Sequence, residues 1–367
     1  MSTQTLLSSL VKIPSYSGQE RALAAFIMQW AHAHGIQAEL QNGNVLIPFV
    51  AGSSKALIFD AHMDTVTPGA ENLWNVPPTG SGAGVIKNGK LYGLGASDDK
   101  AAIASFLLLA QELQRSPPPL DVFIVFVTGE ETDGSGSQSF VQYFQKNHAR
   151  KYQKVAVIIG EPTDLQTIEI GHRGNMFLQV ATHGDSGHGS QPQQIKTHAV
   201  LEHVKIIKKI ITLGKSLSEK YRDPVLGSPS FCLTGIQTDT SSPNTVPSVC
   251  ASTWDVRTTP TLHAQVIPIL QKTLGKDATI THLGNPASFG FTAPNSSIVT
   301  LLQTFVPKAQ VSVSPASNDI CAFTTAGISA VTFGPGQKDT IHKPNEYVQL
   351  QKVDDAIEIY SGLIQAW

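Results

Sequence analysis

Three apolar runs in this chain each stop at a carboxylate or an imidazole. Leu57 to Ala61 runs into His62-Met63-Asp64, Val122 to Val127 into Thr128-Gly129-Glu130-Glu131, and Val155 to Ile159 into Gly160-Glu161. Continuous apolar runs of this length, bounded by turn residues, read as strands buried on both faces, the pattern of a parallel sheet covered by helices. Ligands of open α/β sheets bind outside the carboxyl ends of the strands. If the three strands are neighbours, one edge of the sheet collects His62, Asp64, Glu130, Glu131 and Glu161. A strand's period of two puts His62 and Asp64 on one face.

Around these strands, helix and strand patterns alternate. Helical spacing of apolar residues covers 3–12, 19–34, 100–114 and 137–148, and Asn42-Gly43 marks a hairpin between short strands at 36–40 and 44–50. Ser97-Asp98-Asp99 precedes the helix at Lys100, so Asp98 reads either as an N-cap or as a further acid at the same edge. Beyond about residue 171 the order becomes strand 173–183, helix 197–217, strands 230–237 and 248–259, helix 262–274 and strand 278–283. That β-α-β-β-α-β order predicts a separate ferredoxin-like α+β layer. The first pattern resumes with helix 295–305, strand 309–313, helix 319–325, strand 328–333 and a final helix 350–366. The expected architecture is an α/β domain with a mixed sheet in an α/β/α sandwich, residues 1–170 plus 285–367, interrupted by an inserted domain at 171–284.

Charge and cysteine content narrow the function classes. A net charge of −2 gives no footprint for nucleic acid, and the local basic run Lys205 to Lys209 fits the solvated face of a helix. Cys232, Cys250 and Cys321 are too few and scattered for a disulfide framework or a thiolate zinc site, and read as reduced thiols. No basic-then-apolar leader opens the sequence, and no uncharged apolar stretch approaches the ~18 residues of a membrane span. The expectation is a cytoplasmic protein with no membrane or nucleic-acid partner. Gly80-Ser-Gly-Ala-Gly84 neither follows a clear strand nor opens a helix, and Gly214-Lys215-Ser216 lacks an upstream glycine and follows a helix, so neither is a phosphate loop. No Gly-x-Ser-x-Gly elbow and no His-Glu-x-x-His helix is present.

What remains is His62, Asp64, Asp98, Glu130, Glu131, Glu161 and His342. Imidazoles and carboxylates without thiolates suit a hard or borderline divalent ion: Zn²⁺, Co²⁺ or Mn²⁺. Two such ions need a bridging group, and a carboxylate such as Asp98 can serve. A neighbouring carboxylate outside the ligand set can take a proton from water. In the pair Glu130-Glu131, one side chain can face the metals and the other the water.

His62-Met-Asp64, Gly95-Ala-Ser-Asp98-Asp-Lys100, Thr128-Gly-Glu130-Glu131, Gly160-Glu161-Pro-Thr163 and His342-Lys-Pro-Asn-Glu346 together resemble the ordered motifs of the M20 metallopeptidase family. The similarity is greatest to its acetylornithine deacetylase and succinyl-diaminopimelate desuccinylase branch, and runs from about residue 5 to the end of the chain. The resemblance implies a di-zinc exopeptidase-like catalytic domain and an inserted lid and dimerisation domain. It implies that His62 and Glu161 ligate one metal, Glu131 and His342 the other, and that Asp98 bridges. Asp64 orients His62, and Glu130 is the general base and then the acid. The implied substrate is an N-acyl amino acid, as in arginine, lysine or diaminopimelate pathways, or a short peptide if the chain is a dipeptidase, carboxypeptidase or aminopeptidase.

Ser186-Gly-His188-Gly-Ser-Gln-Pro192 resembles the family segment whose His crosses a homodimer interface to steady a tetrahedral oxyanion. On residues alone, His188 reads as a surface-loop His, one of twelve histidines, and His183 is its rival without the Gly-Ser-x-Pro context. Asn244-Thr-Val-Pro247 and Asp255-Val-Arg257 also match. Arg257 reads either as a bidentate clamp for a substrate carboxylate or as a salt bridge to Asp255. Gly334 and Gly336 are candidates to offer backbone amides to the same carboxylate. One departure touches substrate choice: Thr238 to Pro243 replaces a Gly-rich lead-in to Asn244; a second, at Asn318-Asp319, keeps the Asp-x-x-x-Phe spacing to Phe323 without the Gly-Thr-Ser approach.

Overall fold

The computed structural model describes residues 2–367, apart from the side chain of Ala149. The chain divides into two compact units. One comprises residues 1–171, 290–314 and 318–367, the other residues 172–289 and 315–317. The second unit therefore continues to Phe289, where the sequence placed a boundary at 284, and takes in Pro315–Ser317.

The first unit is built on a mixed sheet of nine strands. Its centre is the strand Lys55–His62, flanked by Asp121–Val127 and Lys154–Pro162, all parallel, with Ile58 opposite both Phe123 and Val157. Ser329–Gly334 adds a further parallel strand beside Lys154–Pro162. The hairpin Glu39–Gln41 and Asn44–Phe49 closes one side antiparallel. The strand Thr167–His172, which the sequence reading passed over, lies on the other side.

Side-chain alternation sorts the central strand into two packing faces. Ala56 and Ile58 pack with Phe140 and Phe144 of helix Ser135–Asn147 and Phe323 of helix Ile320–Thr325. Phe59 points the other way, 5.3 Å from Phe106 of helix Lys100–Arg115 and 5.5 Å from Tyr360 of helix Leu350–Ala366, in edge-to-face contacts. All three rings are fully buried. The result is helix, sheet, helix. The three central strands run parallel and in register, so their carboxyl ends deliver His62, Glu130, Glu131 and Glu161 to one edge.

The second unit holds a four-stranded antiparallel sheet in the order Ser230–Thr238, Val249–Thr258, Gly174–His183, Thr279–His282. Met176, Leu178 and Val180 alternate inward and pack with Ile206 and Ile210 of helix Ala199–Lys220, with Trp254, and with Leu270 of helix Val266–Leu274. The continuous helix expected at 262–274 is instead two pieces, Pro260–His263 and Val266–Leu274. Pro268 has no N–H for a carbonyl one turn back, so it belongs in a first turn, and the second piece starts two residues before it. Lys205 and Lys209 pair with Glu202 and Asp277 at the surface. Among the described residues, no helix is long and apolar enough to cross a membrane.

Phe59→Ala removes the ring that joins the sheet to two helices. It is expected to lower the unfolding free energy by about 3–5 kcal/mol in urea titration, as for other buried Phe deletions.

Candidate metal centre

The central strand ends at His62. Its ring is fixed by Nδ1, which lies 2.9 Å from the backbone carbonyl of Asp64 and 3.5 Å from Asp64 Oδ1. With Nδ1–H donated there, Nε2 is the free ligand atom. It lies 2.9 Å from Asp98 Oδ1 and 3.7 Å from Glu161 Oε1. A second imidazole, His342 Nε2, lies 3.0 Å from Glu131 Oε1 and 3.5 Å from Asp98 Oδ2. Donor atoms of His62, Asp98 and Glu161 lie within 4.8 Å of one another, as do those of Asp98, Glu131 and His342. Asp98 belongs to both groups, presenting one oxygen to each imidazole. Glu130 belongs to neither. Asp98 does not cap the following helix: the N-cap is Asp99, and it makes no side-chain capping bond.

Backbone geometry sets these positions. The Asp64 carboxylate is fully buried and accepts from Glu130 N and Glu131 N, both at 3.1 Å, and from Ser17 Oγ at 2.8 Å. It thus joins the His62 strand to the Glu130-Glu131 turn. Ser17 comes from the loop after the first helix and was not singled out from sequence. A hydroxyl in a Pro-Ser-x-Ser-Gly turn carries no metal-site signal. The Asp98 turn is held by Glu346, whose carboxylate accepts from Gly95 N, Ser97 N and Asp98 N at 3.1, 2.8 and 3.0 Å.

The electrostatics are those of crowded carboxylates. Desolvation pushes Glu130 and Glu161 well above the usual carboxylate range; the charge of Glu161 adds to the first and that of Asp98 to the second. Asp60 and Asp99, both fully buried, are raised by burial, and all four of their carboxylate oxygens lack a hydrogen-bond partner. Burial also lifts Asp319 to about 6. Burial opposes charge on Asp98 too, but hydrogen bonds from His342 and His62 outweigh it and hold Asp98 below the usual range. Conversely, hydrogen bonds to Asp98 and Glu131 raise His342 to about 10. Burial works against charge on His62, yet bonds to Asp64 and Asp98 keep it raised. So much buried negative charge calls for cations beyond two imidazoles. The donors are two sets of one imidazole and two carboxylates sharing a carboxylate, and they fit a pair of hard or borderline divalent ions.

The other candidates fall as follows. Gly334 and Gly336 are buried in the first unit. A Cβ on Gly334 would meet Gly160 O at 1.7 Å and one on Gly336 would meet Ser97 O at 2.3 Å, so glycine there answers close backbone approach. The Gly334 amide already donates to Thr163 Oγ1 at 3.1 Å, so it is not free for a substrate carboxylate. In the second unit, His188 and Asn244 come together where Gly187–His188 pairs with Thr245–Val246. His188 is exposed, and its Nδ1 accepts from Ser190 N at 3.2 Å, which places the neutral ring's proton on Nε2 as an outward donor. Arg257 forms a bidentate pair with Asp255 at 2.7 and 3.0 Å, the salt bridge offered as its alternative. Arg173, also missed from sequence, is lowered by burial and then by the charge of Arg257. Arg173 itself donates to Ser228 O at 2.8 Å, so only Arg257 is paired with Asp255. His183 lies at the end of the strand Gly174–His183 and is exposed.

The model of Peptidase family M20/M25/M40 matches residues 58–366. Among curated proteins, the chain is similar to the acetylornithine deacetylase of Proteus mirabilis (strain HI4320), with 25% identity over 98% of this chain and 95% of that one. It is also similar to the succinyl-diaminopimelate desuccinylase of Psychromonas ingrahamii, with 25% identity over 84% of this chain and 83% of that one. Among solved structures, it resembles the M20 family metallo-carboxypeptidase Sso-CP2 from Sulfolobus solfataricus, with a TM-score of 0.79 and 20% identity, covering 100% of this chain and 99% of that one. At that identity, the structural likeness speaks for the fold.

Asp64→Ala removes the acceptor for two backbone amides and Ser17. It is expected to weaken divalent-metal affinity about 10–100-fold in equilibrium dialysis, the range for residues that support metal ligands, while far-ultraviolet circular dichroism stays native. Ser17→Ala is expected to move affinity in the same direction by less.

Proposed function

The chain belongs to peptidase family M20/M25/M40, and on that premise we propose that it is a di-metal amidohydrolase removing the acyl group from an N-acyl amino acid. Membership makes it a metal-dependent hydrolase of amide bonds. The observation that carries the reading is the pair of donor groups sharing Asp98, with Glu130 beside them and outside both. His62, Asp98 and Glu161 would hold one ion, and Asp98, Glu131 and His342 the other, most simply zinc, with cobalt or manganese also suited to the donors. When bound, such a pair supplies Lewis acidity that makes water acidic near neutral pH and polarises an amide carbonyl.

The chain's own residues do the rest. Glu130 takes one proton from the attacking water as its oxygen adds to the carbonyl carbon. It returns that proton to the nitrogen as the C–N bond breaks, leaving a carboxylic acid and an amine. Its burial favours taking the proton, which suits the first half of that cycle. The Asp64 clamp on the Glu130 amide fixes where the base sits. His188, with Nε2–H outward, is assigned as donor to the oxyanion, and Asn244 as a substrate contact beside it. Arg257, supported by Arg173, is assigned to a substrate carboxylate. Arg257 is offset by Asp255, and the further charge of Arg173 nearby leaves the region positive, which favours an acyl amino acid over an uncharged amide. The names of the deacetylase and desuccinylase relatives support the same class. Three free cysteines fit a reducing compartment such as the cytoplasm.

We also propose a homodimer formed through the second unit. Strand Ser230–Thr238 is a sheet edge that exposes Ile236, and helix Ala199–Lys220 exposes Leu201, Val204 and Ile211. A long open edge with apolar side chains is a pairing surface.

Glu130→Gln is expected to retain metal while turnover falls by at least about 100-fold, as for loss of a general base. A panel of N-acetyl and N-succinyl amino acids against di- and tripeptides should show higher kcat/KM on the acyl amino acids; preference for peptides would move the assignment to a peptidase. The pair Ile211→Asp and Ile236→Lys is expected to sediment as a monomer. An unchanged sedimentation coefficient, or a native protein that is monomeric and fully active, would remove the dimer.

A further inference from the structure

His342 and Asp98 lie far apart in sequence, yet the second anchors both donor groups and the first completes one of them. The segment between His342 and the strand Tyr347–Gln349 joins them physically. Tyr347 pairs with Tyr92, so the chain leaving His342 is laid beside the segment that leads to Asp98. At the junction stands Glu346, 1% exposed. Its Oε1 accepts from Ser97 N at 2.8 Å and from Asp98 N at 3.0 Å, and its Oε2 accepts from Gly95 N at 3.1 Å. Its own carbonyl accepts from Gly93 N at 3.0 Å. Four amides of one turn therefore rest on one residue, three of them on its carboxylate. Ser97 closes the arrangement: its hydroxyl donates to Tyr347 O at 3.0 Å and accepts from Gln337 N at 2.7 Å.

We propose that Glu346 is a positioning residue for the metal centre, fixing the Asp98 turn so that each oxygen of one short carboxylate faces a different imidazole. The inference rests on the di-metal reading above and adds to it a residue that touches neither ion. An aspartate has only two side-chain torsions, so its oxygens follow its backbone closely. Asp98 Oδ1 faces His62 and Asp98 Oδ2 faces His342. A turn released from Glu346 would misplace both oxygens at once. The consequence differs from that of losing an ordinary ligand such as Glu161, which belongs to one group alone.

The test compares wild type with Glu346→Gln and Glu346→Ala. Gln keeps the size of the side chain and one acceptor, but turns an amide –NH₂ or its carbonyl toward donors that Glu satisfies with two oxygens. Zinc uptake is followed by competition with a chromophoric chelator, which yields two stepwise dissociation constants. The visible absorption of the cobalt-loaded proteins reports ligand geometry without turnover. Both constants are expected to rise, by about 10–100-fold for each folded variant, and the cobalt bands to shift. A folded Gln variant whose two constants stay within twofold of wild type and whose cobalt spectrum is unchanged overturns the proposal, even if its thermal midpoint falls, because that pattern is stability alone. A change confined to one constant overturns it as well. If Ala does not fold, the Gln variant decides. A wild type that takes up fewer than two ions overturns the di-metal reading beneath it, an outcome distinguishable because no substitution is involved.

Discussion

The constraint on which the rest of this structure depends is charge density at the carboxyl ends of three parallel strands. Asp60, Asp64, Asp98, Asp99 and Asp319 are all buried there, with Glu130, Glu131 and Glu161 beside them. Facing them are His62 and His342; the buried Lys100 turns its amine to Ile13 O at 2.7 Å instead. An isolated buried carboxylate loses several kcal/mol of hydration and answers by binding a proton or a cation. The raised proton affinities of Asp60, Asp99, Glu130 and Glu161 are one expression of that pressure. Two divalent ions are the other, and the grouping of donors around Asp98 fits them.

Rigid geometry is supplied from outside the donor set. The sheet fixes His62 and Glu161 through paired strands in register. The remaining donors sit on turns, and two of those turns are tied by a buried carboxylate to backbone amides: Asp64 to the Glu130-Glu131 turn, Glu346 to the Asp98 turn. Side chains that accept from main-chain N–H groups restrict a turn more than side-chain pairing does, because they fix the backbone from which the ligand projects. Beneath them, Phe59, Phe106 and Tyr360 lock the sheet to two helices.

The sequence carried the strand ends well, because an apolar run stopping at His or Glu is a local signal with a fold-level meaning. The same holds for the β-α-β-β-α-β order of the second unit. What it did not carry was non-local. Ser17 and Arg173 are ordinary residues until the fold brings them to Asp64 and Arg257. Strand Thr167–His172 is short and merges into the next strand, so its pattern did not stand out. Gly334, expected from sequence to offer its amide to a ligand, instead answers the close approach of Gly160, and its N–H is taken by Thr163. Pro268 was a local breaker, and its effect on helix 262–274 was legible in principle.

On the di-metal reading, two divalent ions stabilise this crowd of carboxylates. The direct measurement is the thermal unfolding midpoint of chelator-treated protein during stepwise addition of zinc, with bound metal counted by elemental analysis at each step. The midpoint should rise steeply while the first and then the second ion per chain is taken up, and beyond that only slowly with the logarithm of free zinc, since a ligand that binds only the folded state stabilises it by RT ln(1 + L/Kd), where L is the free ligand concentration. A midpoint indifferent to zinc, with fewer than two ions retained, would contradict it.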